Sequence, residues 1–183
     1  MRRLPAALLA ALALVAGGPG AQASAAPSQA VPLGTTVTLT GVKSGEQVDV
    51  TALKVVDPAA SAVEFFTPDP GNRYVSVQFR LKNTGTVAYK DSPVNGATLV
   101  DTAGQQFDAD VVAKTTAGPR LPVSLTITPG NTALGYLTFQ LPDGSEPAIV
   151  QFSLNSGFSD DVGEWKTDGG AATGLTTTLG ARN

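Results

Sequence analysis

The segment Tyr74–Asn83 alternates strictly between apolar and polar side chains, and this alternation restricts the fold more than any other feature of the chain. The apolar positions are Val75, Val77, Phe79 and Leu81, and the polar positions between them are Ser76, Gln78, Arg80 and Lys82. A period of two predicts a β-strand with one buried face, because successive side chains point to opposite sides of a sheet. We therefore expect a sheet that needs a second layer to cover it.

Further short segments rich in β-branched or aromatic residues are separated by turn sequences at intervals of about ten residues. They are Thr35–Thr40, Gln47–Val56, Ala97–Asp101, Gln105–Val111, Ser124–Ile127, Ala133–Leu141 and Ile149–Leu154. Residues 59–72 interrupt this pattern and predict a long loop or an exposed excursion from a strand. No segment beyond residue 25 has the pattern of an amphipathic helix. The spacing predicts an all-β, antiparallel β-sandwich of about seven to nine strands, with a small barrel as the alternative.

Glycine stands in several of the predicted turns. Gly85, Gly104 and Gly130 each follow a predicted strand, where glycine permits a positive φ without steric cost. We therefore predict positive φ at these positions. Replacement of Gly85 by valine is expected to destabilise the fold by about 1 kcal/mol or more through strain in the turn.

The first 25 residues have the three parts of a secretory signal peptide. A pair of arginines precedes an apolar run from Leu4 to Val15, and small residues follow, with cleavage predicted near Ala23 or Ala25. The run is shorter than the ~20 residues that span a bilayer, which favours cleavage over an uncleaved anchor. We expect a secreted, extracellular protein with no membrane insertion after cleavage. The predicted divisions are the signal peptide (1–25), a linker (26–30), the sandwich domain (31–165) and a flexible tail (166–183).

Cysteine and histidine are both absent from the chain. Their absence excludes disulfides, metal sites built on thiolate or imidazole, thiol nucleophiles and Ser-His-Asp triads. Beyond the predicted signal peptide the basic residues are scattered singly, and the chain has 15 acidic residues against 12 basic ones, so we expect no nucleic-acid partner. The sequence also lacks the S-x-x-K, G-x-S-x-G and P-loop motifs. We therefore predict no enzymatic activity and no cofactor.

Three motifs follow one another in an order that resembles a bacterial family of secreted domains. Val75–Gly85 is similar to the family's strand and turn, Leu99–Phe107 to its hairpin, and Thr128–Phe139, with the following Leu141-Pro142, to its glycine-containing strand. The family is domain-of-unknown-function family 4352, and similar domains include a secreted mycobacterial immunogenic protein.

This resemblance extends over roughly residues 31–154 and implies an immunoglobulin-like sandwich located outside the cell. Many members of the family are lipoproteins, whereas this chain lacks the cysteine that accepts the lipid. The family has no assigned catalytic residues, so the resemblance implies none here.

Carboxylates are the acid–base groups available near neutral pH. Asp160, Asp161 and Glu164 cluster in one segment, and carboxylate oxygens are ligands that Ca²⁺ prefers. They are weak candidates for a metal site, because the D-x-D-x-D-G calcium loop is absent, and a solvated acidic loop is the favoured interpretation. A pair such as Asp108 with Asp161 would hydrolyse glycosides only if held about 5–9 Å apart, a distance that the sequence does not determine.

Exposed aromatic side chains on a β-sandwich stack on sugars or anchor a protein partner. The candidates are Phe65, Phe66, Tyr89 and Trp165, and the alternative is that they fill a core that needs most of the aromatic residues. We expect a secreted, non-enzymatic binding or interaction module whose partner is an unidentified protein or cell-envelope component. The alternatives are a polysaccharide-binding or polysaccharide-degrading domain that uses loop aromatics and carboxylates, and a structural domain without a small-molecule ligand.

Overall fold

The computed structural model describes residues 29–167. The predicted signal peptide, residues 26–28 of the predicted linker and residues 168–183 of the predicted tail lie outside the described residues. The last strand includes Lys166, and the backbone N–H of the buried Thr167 donates to the Ala148 carbonyl (2.9 Å). The sandwich therefore continues two residues beyond its predicted end at residue 165.

Eleven strands form within residues 29–167. They are β1 (Val31–Pro32), β2 (Thr36–Thr40), β3 (Gln47–Val56), β4 (Asn72–Asn83), β5 (Tyr89–Asp91), β6 (Ala97–Asp101), β7 (Gln106–Asp108), β8 (Leu125–Ile127), β9 (Thr132–Pro142), β10 (Pro147–Ser153) and β11 (Val162–Lys166). Four of these strands contain only two or three residues, so the number exceeds the predicted seven to nine. Short 3-10 turns occur at Pro93–Gly96 and Asn155–Gly157. None of the helical segments in the described part of the chain is long and apolar enough to cross a membrane.

The strands form two main sheets and one small pair. The four-stranded sheet has the order β2-β3-β4-β9, the five-stranded sheet has the order β1-β11-β10-β6-β7, and β5 pairs with β8. All pairings between the named strands are antiparallel except that of β1 with β11. This arrangement confirms the predicted all-β, immunoglobulin-like antiparallel β-sandwich.

The core lies between the two main sheets, and β4 contributes its apolar face to it. Val75, Val77, Phe79 and Leu81 are all fully buried, as the alternation predicted. The Phe79 ring lies 5.3 Å from the Phe152 ring and 6.2 Å, edge to face, from the Trp165 ring, measured between centroids. These contacts join the centre of the four-stranded sheet to β10 and β11, so the two sheets share one continuous core.

Residues 109–121, which we call the crossing segment, cover half of the outer face of the four-stranded sheet. The segment is hydrogen-bonded to the free edge of β9 through the carbonyls of Thr138 (2.7 Å) and Tyr136 (2.9 Å). Between these points Thr115 lies over β4, with its hydroxyl 2.9 Å from that of Ser76. Ser76 is consequently buried, although the alternation places it on the outer face.

The turn after β4 differs from its prediction. Gly104 and Gly130 have the predicted positive φ, 82° and 83°, but Gly85 does not have a positive φ, so that prediction is wrong. A Cβ atom at Gly85 would instead lie 2.2 Å from the Gly45 carbonyl oxygen and 2.6 Å from the Gln47 nitrogen. Glycine is required there because another stretch of backbone approaches closely, which no local sequence pattern reveals.

Candidate functional site

Two of the four predicted binding aromatics are core residues. Trp165 is fully buried, and its indole N–H donates to the Thr35 carbonyl (2.8 Å). Tyr89 is also fully buried, and its hydroxyl donates to the Asp91 carboxylate. Burial, together with that hydrogen bond, raises the pKa of Tyr89 far above its ordinary value. Neither ring is accessible to a ligand, so these two predictions are wrong, because the sandwich uses both residues to fill its interior.

The other two predicted aromatics are on the surface. Phe65 is 89% exposed and Phe66 is 42% exposed, in the predicted loop between β3 and β4. Sequence analysis missed Phe158, which is 82% exposed immediately after the turn at Asn155–Gly157. Its neighbours in the sequence are small or acidic, so it belongs to no alternating pattern that would have identified it.

The three predicted acidic residues have different local partners. Asp161 accepts a hydrogen bond from the Thr40 backbone N–H (2.9 Å), and Glu164 accepts one from the Gln151 side chain (2.6 Å) on the neighbouring strand. Asp160 is exposed. Within residues 29–167 no group of three or more acidic side chains is arranged to hold a metal ion.

A partly buried polar network connects the loops at one end of the sandwich. The Asn155 amide donates to the buried Glu46 carboxylate (3.0 Å), and the Ser156 hydroxyl donates to Asp91 (2.8 Å). Asn155 and Ser156 both have positive φ, 55° and 58°, which is uncommon for residues other than glycine. Among the described residues every fully buried side-chain polar atom has a partner. The network therefore holds the loops together and leaves no buried polar atom for a ligand.

The strongest candidate site is the open half of the outer face of the four-stranded sheet. We call it the trough, and its lining residues are Thr36, Asp49, Thr51, Arg80, Lys82, Gly130 and Thr132. Arg80 and Lys82 occupy alternate positions on β4, so both side chains point outward, and both are exposed. Lys54 on β3 is directly opposite Gln78, the next outward position on β4. Three cations therefore follow one another along the trough.

A cavity of about 200 Å³ lies beside the trough, between the crossing segment and β9. Its lining residues are Ala113, Lys114, Thr115, Gly118, Pro119, Arg120, Tyr136 and Thr138. The Lys54 ammonium lies 5.6 Å from the centroid of the Tyr136 ring, within the range of a cation–π contact. Since Tyr136 also lines the cavity, its ring joins the cavity to the trough.

The cavity adds two cations to those of the trough. Lys114 is exposed, and Arg120 is half-buried with one guanidinium nitrogen bonded to the Val111 carbonyl (2.9 Å). The two ion pairs found within residues 29–167 are Lys43–Glu46 and Arg73–Asp57, so none of the five cations of this surface forms an ion pair there.

Asp110 lies next to Arg120 at the edge of this surface. Burial opposes its ionisation, but hydrogen bonds from the Gln140 amide and from two backbone N–H groups, together with the charge of Arg120, outweigh it. They hold the pKa of Asp110 below its ordinary value, so this carboxylate is ionised near neutral pH. Its hydrogen-bond donors are internal, and it forms no ion pair with Lys54, Arg80 or Lys82.

This cationic surface is not apparent in the sequence because its members are dispersed along the chain. Lys54, Arg80, Lys82, Lys114 and Arg120 come from two strands and the crossing segment. The outward positions of Arg80 and Lys82 were predictable from the alternation in β4. The addition of Lys54, Lys114 and Arg120 depends on strand order and on the path of the crossing segment.

Comparison with known families agrees with this architecture. The family described as domain of unknown function, DUF4352, matches residues 42–163, which is more than half of the chain. The chain belongs to this family. The match confirms the resemblance inferred from the three motifs; it begins at residue 42 rather than near residue 31, and it continues through the turn at Asn155–Gly157 into β11. No curated protein sequence matches the chain.

Solved structures resemble this DUF4352 domain in fold. The secreted protein MPT63 from Mycobacterium tuberculosis superposes with a TM-score of 0.55 at 19% identity, over 78% of this chain and 99% of that protein. A putative lipoprotein, YcdA, from Bacillus subtilis superposes with a TM-score of 0.51 at 17% identity, over 73% of this chain and 39% of that protein. At such low identity these similarities establish the fold alone.

Proposed function

We propose that this domain is a secreted, non-enzymatic module that binds an acidic glycan, meaning a hydroxyl-rich polymer with carboxylate or phosphate groups. The ligand lies in the trough, where Arg80, Lys82 and Lys54 contact its charges. The observation that carries the proposal is the gathering on one surface of five cations, none of which forms an ion pair within residues 29–167, in a chain with formal net charge −3. The predicted signal peptide and the secreted mycobacterial neighbour support a location outside the cell.

The other side chains of the trough favour a glycan over a nucleic acid. Threonine hydroxyls at Thr36 and Thr132 are suited to hydrogen bonds with sugar hydroxyls. The trough has no exposed aromatic ring on which bases could stack, since Tyr136 is buried.

The test compares two double variants that remove the same charge from different parts of the molecule. Arg80→Gln with Lys82→Gln removes two cations from the trough, whereas Lys90→Gln with Lys166→Gln removes two exposed cations on β5 and β11. Binding is measured by titration calorimetry against oligogalacturonides, a glycerol-phosphate polymer, neutral dextran and single-stranded DNA. Urea unfolding of each variant confirms that the fold is intact.

We expect wild type to bind at least one of the two acidic polymers and to leave dextran unbound. The trough variant should bind about tenfold more weakly, which equals about 1.4 kcal/mol for two exposed charge contacts, and the control variant should bind like wild type. The polymer should be recovered uncleaved. Equal loss in both double variants, tighter binding of DNA, or no binding of either acidic polymer would each contradict the proposal.

A further inference from the structure

The cavity lies where the open half of the sheet face ends. Leu134 is exposed on β9, whereas Tyr136, two residues farther along the same face, is buried, and so are Thr138 and its β4 partner Ser76. The boundary is the crossing segment, which lies over the sheet from this row onward. A polymer that follows the strands along the trough would therefore stop at the cavity.

We propose that the cavity makes binding end-selective: it receives the terminal acidic residue of the glycan while the preceding residues lie in the trough. This inference rests on the proposed function and adds to it the part of the polymer that is recognised. An internal stretch of a long chain could contact the trough, but only a chain end could also fill the cavity.

The chemistry of the cavity suits a single anionic sugar residue. Lys114 and Arg120 provide cationic N–H donors for a carboxylate or phosphate. Tyr136 lines the cavity, and its hydroxyl makes no hydrogen bond within residues 29–167, so this hydroxyl is the third polar group offered to a ligand there. The volume of about 200 Å³ is below the range typical of sites for larger ligands, which fits one residue rather than a chain segment.

The wall of the cavity is held closed by backbone contacts. The Lys114 carbonyl accepts a hydrogen bond from the Ala62 N–H (2.8 Å), and the Thr116 N–H donates to the Ala60 carbonyl (2.9 Å). On the other side Gly118 packs against the Tyr136 ring so closely that a Cβ atom would lie 2.6 Å from a ring carbon. A polymer cannot pass beneath the crossing segment without breaking these contacts, so the trough has one closed end.

The first experiment measures how many protein molecules bind each glycan chain. Size-fractionated oligogalacturonides of increasing length are titrated with the full-length protein. The number of protein molecules bound per glycan is measured by calorimetry and by sedimentation. Oligomers of glycerol phosphate are titrated in parallel, which distinguishes carboxylate from phosphate as the source of charge. We expect one protein per chain at every length, because each chain has one end of the correct polarity. A stoichiometry that rises with chain length would overturn end-selectivity and leave the proposed function intact.

The second experiment alters the cavity without altering the trough. Tyr136→Phe removes the free hydroxyl and keeps the ring under Gly118, and Lys114→Gln removes one cation. Each should weaken binding of short oligomers by about three- to tenfold, in the range of one hydrogen bond or one charge contact. Lys166→Gln is the matched control and should have no effect. Suppose that affinity is unchanged in both cavity variants and weakened in the Arg80→Gln, Lys82→Gln variant. This result would refute the role of the cavity in binding and support glycan binding in the trough. Failure of wild type to bind any acidic oligomer would refute both proposals.

Discussion

Replacement of Gly85 by alanine tests whether glycine serves this turn through close packing rather than through an unusual φ. The added Cβ would lie 2.2 Å from the Gly45 carbonyl oxygen and 2.6 Å from the Gln47 nitrogen. Real Cβ atoms do not approach backbone atoms so closely, and neither neighbour is a side chain that could rotate away. The turn at residues 84–86 must therefore separate from residues 45–47.

The cost follows from the hydrogen bonds that join these two stretches. The N–H groups of Thr84 and Gly85 both donate to the Gln47 carbonyl (3.0 and 2.9 Å), and the Thr86 N–H donates to the Gly45 carbonyl (2.9 Å). Each such bond contributes about 1 kcal/mol net, so loss of two or three lowers the free energy of unfolding by about 2–3 kcal/mol. This magnitude agrees with the usual cost of overpacking, about 1–3 kcal/mol.

Gly104→Ala is the matched control, because Gly104 has a φ of 82° and nothing lies within 4 Å of the point that an alanine Cβ would occupy. Its cost is conformational alone, about 1–2 kcal/mol. Urea unfolding followed by fluorescence reports both values, since the single tryptophan, Trp165, is fully buried. A Gly85→Ala variant that loses no more stability than Gly104→Ala would refute the close-packing argument.

Two further predictions concern the buried end of the sandwich and the response to alkaline pH. Asn155→Ala should lower the free energy of unfolding by about 2–4 kcal/mol in urea, because it removes a partner of the buried Glu46 and places alanine at positive φ, whereas Asn155→Gly should recover part of the loss. An Asn155→Ala variant as stable as wild type would contradict this. Stability should also fall as pH rises above 10.0, the ordinary tyrosine pKa, because Tyr89 and Tyr74 ionise in the unfolded chain while their raised folded pKa values keep them protonated. Thermal midpoints measured on either side of that pH check the direction, and a constant or rising midpoint would refute it.

The strands were predictable where one face is buried and the other is not. Gln47–Val56 and Ala97–Asp101 have the predicted bounds, and β4 and β9 each extend one or two residues beyond theirs. β11 was missed because Gly163 and Glu164 interrupt any apolar alternation, and the sequence there predicted an acidic loop. It forms a strand because Trp165 enters the core and β10 pairs along its length, both of which depend on distant parts of the chain.

The burial of the predicted binding residues also depends on contacts with distant parts of the chain. An aromatic side chain outside a clear alternation looks the same in sequence whether it fills a core or projects from a loop. Tyr89 follows the turn after β4 and is buried because β8 pairs with its strand, whereas Phe65 projects from a loop and is exposed. Whether each aromatic side chain is buried depends on which strands pair in the folded domain, and the spacing of residues in the sequence does not contain that information.

The location of the proposed site follows from the crossing segment more than from the sheet. β4 has the same outward alternation along its whole length, and its residues Ser76 and Arg80 are four positions apart on one face. Ser76 is buried because Thr115 lies over it, and Arg80 is exposed because the segment has already turned back to β9. A shift of the crossing segment by one row of the sheet toward Arg80 would cover the cations. A shift in the opposite direction would open the closed end of the trough. Sequence changes at the exposed positions of the crossing segment, such as Lys114, should therefore alter ligand selection while the core of the sandwich stays the same.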